Sequence, residues 1–275
     1  MTTLWVNGSL ADPDAASISA LDHGLTVGDG VFETMKVVDG RPFALTRHLD
    51  RLERSAAGMG LPAPNRAEVR EACHAVVAAI DASRVHRLRV TYTAGKGPLG
   101  SDRTDAIPTL TVASSPAPSW APQAAVALAP WPRNERGPLV GLKTTSYGDN
   151  VVALAWARER GAGEAIFVNT AGRLCEGTGS NVFVVVDDQV LTPPLSSGCL
   201  AGVTRALVLE WSDAREADLP GDALTTATEV FLTSSTRDVQ PVSRVDEREL
   251  PTGERTRTIA AEFARRSAME VDPWP

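Results

Sequence analysis

Along the chain, short segments in which apolar and polar residues alternate are interleaved with longer ones in which apolar residues recur every third or fourth position. Leu4 to Val6 predicts a short strand, Asn7-Gly8 a turn, and the residues beyond it a second extended stretch. A Gly/Asp-rich loop, HGLTVGDGVFE, follows, and VFETMKVV alternates as a strand up to a turn at Asp39-Gly40. Leu49, Leu52, Ala56 and Met59 lie at helical spacing and predict a helix from Thr46 to Met59, with Thr46 as its cap and Pro62 and Pro64 beyond its end. A second helix is predicted from Arg66 to Ile80, and strands from Arg87 to Thr93 and from Pro108 to Ser114.

The pattern then breaks at SSPAPSWAPQ, where three prolines disfavour both a helix and a central strand. This predicts an interdomain linker, 116–122, between a smaller N-terminal α/β domain, 1–115, and a larger C-terminal α/β domain, 123–275. Beyond the linker the expected elements are a strand at Ala124–Ala129, a helix after Tyr147 ending at Gly161, a strand at Glu164–Val168 and a turn at Thr170-Ala171-Gly172. An apolar run at Asn181–Val186, a helix at Val203–Trp211, a strand at Glu229–Ser234 and a terminal helix at Thr256–Arg266 complete the pattern. Both halves mix α and β without the regular βαβ alternation of a doubly wound sheet. Two domains also suit 275 residues, at roughly 100–200 per domain.

Composition narrows the function. With 43% hydrophobic and 22% charged residues the chain is globular, and its net charge of -7 argues against nucleic-acid binding, which rests on cationic contacts to phosphate. No apolar run approaches the ~18 residues of a membrane span. No basic segment followed by an apolar core opens the sequence, so a cytoplasmic protein is expected. Cys73, Cys175 and Cys199 and the four histidines are scattered, with neither zinc spacing nor a disulfide framework, so no metal is expected.

Only three of the 27 basic residues are lysines: Lys36, Lys96 and Lys143. Lys143, in GLKTTSYGDN, has no carboxylate at i±3 or i±4 and sits among small residues. It is either a surface charge or an amine suited to Schiff-base chemistry. Glu176 lies at the mouth of the loop GTGSN, as a turn carboxylate facing water or as the acceptor for a protonated ring nitrogen. Arg51, mid-helix beside Arg47 and Arg54, belongs either to a solvated face with Asp50 and Glu53 or to an inward-facing phosphate contact. Val203-Thr204 opens a helix, whose free N–H groups and dipole favour phosphate, and Ser234 to Thr236 ends a strand with three hydroxyls. A lysine, an acid, an arginine and two hydroxyl-rich loops form the inventory of a pyridoxal 5'-phosphate site. Neither a Walker loop nor a GxGxxG fingerprint is present.

Taken in order, these motifs resemble those of the class IV aminotransferases, the fold-type IV pyridoxal-phosphate enzymes. GDGVFET at Gly28–Thr34 is similar to the family's early active-site strand, and HLDRLERSA at His48–Ala56 to the helix that carries its phosphate-binding arginine, Arg51. The resemblance implies that Lys143 is the Schiff-base lysine and that Glu176, in EGTGSNVF, is the pyridine-nitrogen partner. LAGVTRA then supplies Leu200 against the ring with Val203 and Thr204 at the phosphate, and FLTSSTRD supplies Ser235 and Thr236. Tyr147 is implied as a contact to the cofactor O3′ or the substrate, or else as a core aromatic. The implied fold is two α/β domains with the cofactor in the cleft between them, usually in a homodimer.

The implied activity is a transaminase passing an amino group from an amino acid or primary amine to a 2-oxo acid, with the D-amino acid or (R)-amine side favoured. 4-Amino-4-deoxychorismate lyase and a branched-chain L-amino acid transaminase are the alternatives. Two departures from the D-amino acid subgroup stand out. Phe32 replaces its tyrosine, and VTYTAGKGPLGSDR lacks its Arg-x-His carboxylate trap. Phe32, Thr34, Lys36 and Arg89 are therefore the candidate substrate contacts, with Lys96 and Arg103 as further cations.

Overall fold

A computed structural model describes residues 2–103 and 107–274. The chain divides into two compact units. The first comprises the chain up to Pro118, the short segment Leu142–Tyr147 and the chain from Glu270 onward; the second comprises Ser119–Gly141 and Gly148–Met269.

In the first unit the chain forms β1 (Thr3–Val6), β2 (Ser9–Ala11), α1 (His23–Thr26), β3 (Gly30–Val38), β4 (Arg41–Pro42), α2 (Leu45–Gly58), α3 (Arg66–Ala78), β5 (His86–Thr93) and β6 (Thr109–Pro116). The strands make one antiparallel sheet in the order β2-β1-β6-β5-β3-β4. Alternation decides its faces. Val31, Met35 and Val37 of β3, Leu88 and Val90 of β5 and Val112 of β6 share a core with Leu45, Leu49, Leu52 and Ala56 of α2 and Val69, Ala72, Cys73 and Val76 of α3. Each fully buried leucine here contributes about 1.5–3 kcal/mol. Phe32, Thr34 and Lys36 have the opposite parity and lie on the other face of the sheet, with Arg89 directly across from Thr34.

The second unit contains β7 (Ala124–Leu128), α4 (Gly148–Glu159), β8 (Glu164–Val168), β9 (Leu174–Gly177), β10 (Asn181–Val186), β11 (Gln189–Thr192), α5 (Val203–Trp211), β12 (Arg215–Glu216), α6 (Ala223–Thr226), β13 (Glu229–Ser234), β14 (Asp238–Val245), β15 (Arg248–Glu249) and α7 (Glu254–Met269). Its mixed sheet runs β12-β11-β10-β13-β14-β7-β8-β9, with β15 on β14. One face packs Val126, Ile166, Val182, Val184, Val230, Leu232 and Val242 against Leu219 and Leu224.

Several expectations need correction. The Gly/Asp-rich loop contains a short helix, α1, capped by the Asp22 side chain on the Gly24 N–H. Thr46 is not the cap of α2. The cap position is Ala44, which makes no side-chain cap bond, and the Thr46 N–H and hydroxyl both donate to Asp272 (2.9 and 2.7 Å). A remote carboxylate thus does what a local cap was expected to do. Glu176, expected at the mouth of a loop, lies within a strand, β9, and β14 follows the Ser234–Thr236 stretch, after which the pattern predicts no strand.

Lys143 falls within 123–275, the expected C-terminal domain, yet its segment groups with the first unit, where it extends the edge of β3. The Phe32 N–H donates to the Lys143 carbonyl (2.9 Å), the Thr145 N–H to the Gly30 carbonyl (2.8 Å), and the Thr145 and Ser146 hydroxyls to the Gly28 carbonyl (2.9 and 3.0 Å). Gly28 sits at φ +70, a conformation other residues rarely adopt, and a Cβ there would approach the Ser146 hydroxyl to 2.7 Å.

Asp272→Ala is expected to destabilise the protein by about 1 kcal/mol, the usual worth of a helix cap. Urea unfolding of the two proteins checks this, and an unchanged midpoint would reject the capping role.

Candidate active site

The inward face of β3 carries one charged residue, Glu33, fully buried between Val31 and Met35. Its carboxylate accepts Nε and Nη2 of Arg51 (both 2.7 Å) and lies 2.6 Å from His48 Nδ1. Arg51 is therefore inward-facing, and Asp50 and Glu53 pair with Arg66 instead. Burial alone would raise the Glu33 carboxyl, but the Arg51 charge and hydrogen bonds outweigh it and hold the group well below the usual carboxylate range. Burial pushes His48 down, against the pull of Glu33.

One turn after Arg51, the Ser55 hydroxyl accepts the Lys143 N–H (3.1 Å). The Lys143 backbone is thus tied to α2 on one side and to β3 on the other. Its Nζ lies 4.4 Å from the centroid of the buried Phe32 ring. The Arg89 guanidinium lies 3.6 Å from the same centroid, and Tyr147 packs edge-on against the ring at 5.3 Å. No carboxylate hydrogen-bonds Arg89 among the described residues. Phe32 therefore gathers Lys143, Arg89 and Tyr147 around one aromatic ring. Lys36 is four residues further along the same strand face, 5.8 Å from the Phe43 ring, with Thr34 between.

Arg103 drops out as a substrate cation. Its Nε and Nη2 bind both oxygens of Asp29, and its Nη1 donates to the Met59 and Gly60 carbonyls (2.8 and 2.9 Å) after the end of α2. It caps that helix terminus.

In the second unit, Glu176 on β9 accepts the Leu200 N–H (2.9 Å) and stands 3.6 Å from Arg133 Nη2. Val203 and Thr204 are buried at the start of α5, and Ser235 and Thr236 occupy the turn between β13 and β14. A second buried acid organises this region. Glu164 pairs with Arg237 (3.0 Å), directly after Thr236, and accepts the Thr178 hydroxyl and the Gly179 N–H (3.0 Å). Arg237 also stacks 3.6 Å over Trp120. Glu164 thus fastens the GTGSN loop and the STR turn to each other.

Glu33, Ser55, Arg133, Glu164 and Arg237 join these sites and are not among the residues that the sequence singles out. Only Glu33 left a visible trace: a charge at a core parity of a strand, with His48 and Arg51 three residues apart on the following helix.

The family model for amino-transferase class IV matches residues 30–245. The chain belongs to the class IV aminotransferases. It is 31% identical over 279 residues to a putative branched-chain-amino-acid aminotransferase of Methanocaldococcus jannaschii, covering 94% of each chain. It is 32% identical over 271 residues to a bifunctional aminodeoxychorismate lyase / D-amino acid transaminase of Mycobacterium tuberculosis, covering 90% of this chain and 92% of the relative. Among solved structures, the pyridoxal-phosphate-bound form of a hypothetical aminotransferase from Mycobacterium tuberculosis matches with a TM-score of 0.88 at 28% identity, covering 99% of this chain and 100% of the other. The fold is that of the fold-type IV enzymes, and the cofactor of the class is pyridoxal phosphate.

The described residues suit that cofactor. α5 starts at Gly202-Val203 with no side chain capping its first N–H groups. Gly202 lies so close to Asn181 that a Cβ would come to 2.0 Å from its Oδ1. The buried hydroxyls of Ser180 and of Thr233, the latter opposite Asn181 in the sheet, have no hydrogen-bond partner. Open amides and unspent hydroxyls are the donors a phosphate takes.

Glu33 and His48 both titrate below their unfolded values, so the stability they contribute is present above ~pH 6.5 for His48 and above ~pH 4.3 for Glu33, and is lost as pH falls. The thermal midpoint of the protein is expected to drop progressively below ~pH 6.5. Glu33→Gln is expected to cost about 3–5 kcal/mol at neutral pH, the usual result of stranding a buried charge, and to flatten the acid side of the curve. Calorimetry between pH 8 and pH 4 checks both, and a curve unaltered by the substitution would count against the ion pair.

Proposed function

We propose that the protein is a transaminase that moves an amino group between a D-amino acid or (R)-amine and a 2-oxo acid. The convergence of Lys143, Arg89 and Tyr147 on Phe32 carries this reading: an amine nucleophile and a cation that no described carboxylate occupies share one aromatic platform. Pyridoxal phosphate, when bound, supplies an aldehyde that takes up the amine and a ring that draws electrons from Cα.

Lys143 Nζ is the group that holds the aldehyde and moves the proton at Cα. Glu176 accepts a hydrogen bond from the protonated ring nitrogen. Arg51, Thr204 and Ser235 hold the phosphate, with Val203 and Thr236 offering neighbouring contacts and Leu200 packing against the ring. Tyr147 hydrogen-bonds the cofactor O3′ or the substrate. Arg89 receives the substrate carboxylate in place of an Arg-x-His trap, while Phe32, Thr34 and Lys36 complete that face of the sheet.

The relative named for both D-amino acid transaminase and aminodeoxychorismate lyase supports the D side and keeps the lyase as the second reading. The protein works in the cytoplasm as a homodimer, for which the exposed Leu21, Leu25, Val27 and Leu99 offer apolar surface. Leu21 and Leu99 lie on two segments joined by the Gly97 N–H to the Leu21 carbonyl.

Pyridoxal phosphate is expected to give the purified protein a visible absorption band that Lys143→Ala lacks. Lys36 and Lys96 are the only other lysines, so a persisting band would displace the assignment to one of them. D-Alanine or an (R)-arylamine, added separately, is expected to discharge the band, and L-leucine is not. Discharge by L-leucine alone would overturn the handedness. A band that none of the three discharges would favour the lyase, tested next with aminodeoxychorismate. Arg89→Leu is expected to raise KM for 2-oxo acids at least tenfold with a smaller change in kcat, as loss of a charged carboxylate contact does. An unchanged KM would remove Arg89 from the site.

A further inference from the structure

Glu176 can serve a ring nitrogen only while it is ionised, and Arg133 of the second unit stands against it. Arg133 Nη2 stands 3.6 Å from Glu176 Oε1, and both side chains are mostly buried, at 16% and 14% exposure. Beyond Glu176, the guanidinium is held from two sides: its Nη1 donates to Asn150 Oδ1 (3.0 Å), and it lies 4.1 Å from the Phe167 ring centroid. Its Nε is buried without a hydrogen-bond partner. Its backbone is fixed as well: the Arg133 N–H donates to the Val168 carbonyl (2.8 Å), and the Arg133 carbonyl accepts the Thr170 N–H (3.2 Å).

Asn150 in turn donates to the Thr178 carbonyl (2.6 Å), two residues past Glu176. The cation and the loop beyond the acid are therefore held by the same amide. Other acids nearby in the sequence or the sheet are committed elsewhere, Glu135 to Arg136 and Thr170, and Glu164 to Arg237. Among the described residues, the thiols of Cys175, on the same strand, and of Cys199, next to Leu200, also lie within electrostatic reach of Glu176. Burial, and then the Glu176 charge, push both thiols up, so they stay neutral.

We propose that Arg133 is a positioning residue for the cofactor's ring nitrogen, acting through Glu176: it keeps that carboxylate ionised and aims it together with the Leu200 amide. This rests on the reading of Glu176 given above. An opposite charge within ~4–6 Å lowers a carboxyl pKa by about 1–3 units, so removing it exposes Glu176 to protonation at higher pH. The sign is fixed: the working form exists above the Glu176 pKa, and raising that pKa moves the acid-side loss upward.

The test compares wild type, Arg133→Met, Arg133→Lys, Glu176→Gln and the Arg133→Met/Glu176→Gln double variant. All are loaded with pyridoxal phosphate and read by pH titration of the visible band and by the rate at which an amine donor discharges it. Arg133→Met is expected to keep the band, to move the acid-side midpoint up by about one unit or more, and to slow discharge about fivefold or more at the original midpoint. Arg133→Lys is expected to restore most of the shift, and Arg133→Met is expected to add nothing once Glu176 is Gln. If Arg133→Met does not fold, Arg133→Gln, which keeps a donor for Asn150, carries the same readout.

An acid-side midpoint unchanged in Arg133→Met, with or without a lower unfolding temperature, would make Arg133 structural and overturn the proposal. A further loss in the double variant equal to that in the single one would overturn it too. Absence of the band from wild type would instead defeat the reading of the site as a whole.

Discussion

A carboxylate placed in a hydrophobic core has to be answered by charge, and the first unit is organised around that requirement. Glu33 points into the packing between β3 and the helices, and Arg51 and His48 of α2 answer it. The neighbours of these residues inherit the alignment. Phe32 precedes Glu33 and donates its N–H to the Lys143 carbonyl, while Ser55 lies one turn past Arg51 and accepts the Lys143 N–H. The lysine backbone is thus hung between the strand and the helix that the ion pair locks together. Replacing such a pair with apolar residues can leave stability unchanged, but the relative placement of strand and helix would then rest on non-directional contacts.

The second unit repeats the device with different residues. Glu164, also buried, binds Arg237, Thr178 and Gly179, and so fixes two loops that the strands alone would leave to find their own conformations. Satisfied buried networks of this kind exchange little net stability for a single geometry. Stacking of Arg237 on Trp120 brings the start of the second unit's chain into the same arrangement, and Gln240 adds a bond to the Ala121 carbonyl (2.7 Å).

What the sequence disclosed was local. β8, α5 and β13 fall where the periodicity put them, because each is bounded by its own turn residues and packs one unambiguous face. The motifs around Lys143, Glu176 and Thr204 stand out as candidates for the same reason: each keeps its characteristic residues within a few positions. What stayed hidden depends on partners far along the chain. Asp272 reaches Thr46 across 226 positions, and Arg237 reaches Glu164 across 73. β14 carries Pro241 and Arg244 among its apolar residues and becomes a strand through pairing with β13 and β7. Arg133 could be read only as one arginine among many until Phe167, Asn150 and Glu176 were seen around it.

The grouping of Leu142–Tyr147 with the first unit has a consequence for how this chain can be divided. The polypeptide passes from one unit to the other after Pro118, Gly141, Tyr147 and Met269. A single cut in the proline-rich segment therefore yields no two self-sufficient pieces. The later piece would keep the lysine but lose the strand edge and the serine that seat it. The earlier piece would lose the tail residues that close α2. Exchanging the first 118 residues with those of a relative would leave a native amine on a foreign seat. The two units behave as interlaced parts of one inheritable whole, so variation that retunes the seat must be accepted by a lysine encoded on the far side of the boundary.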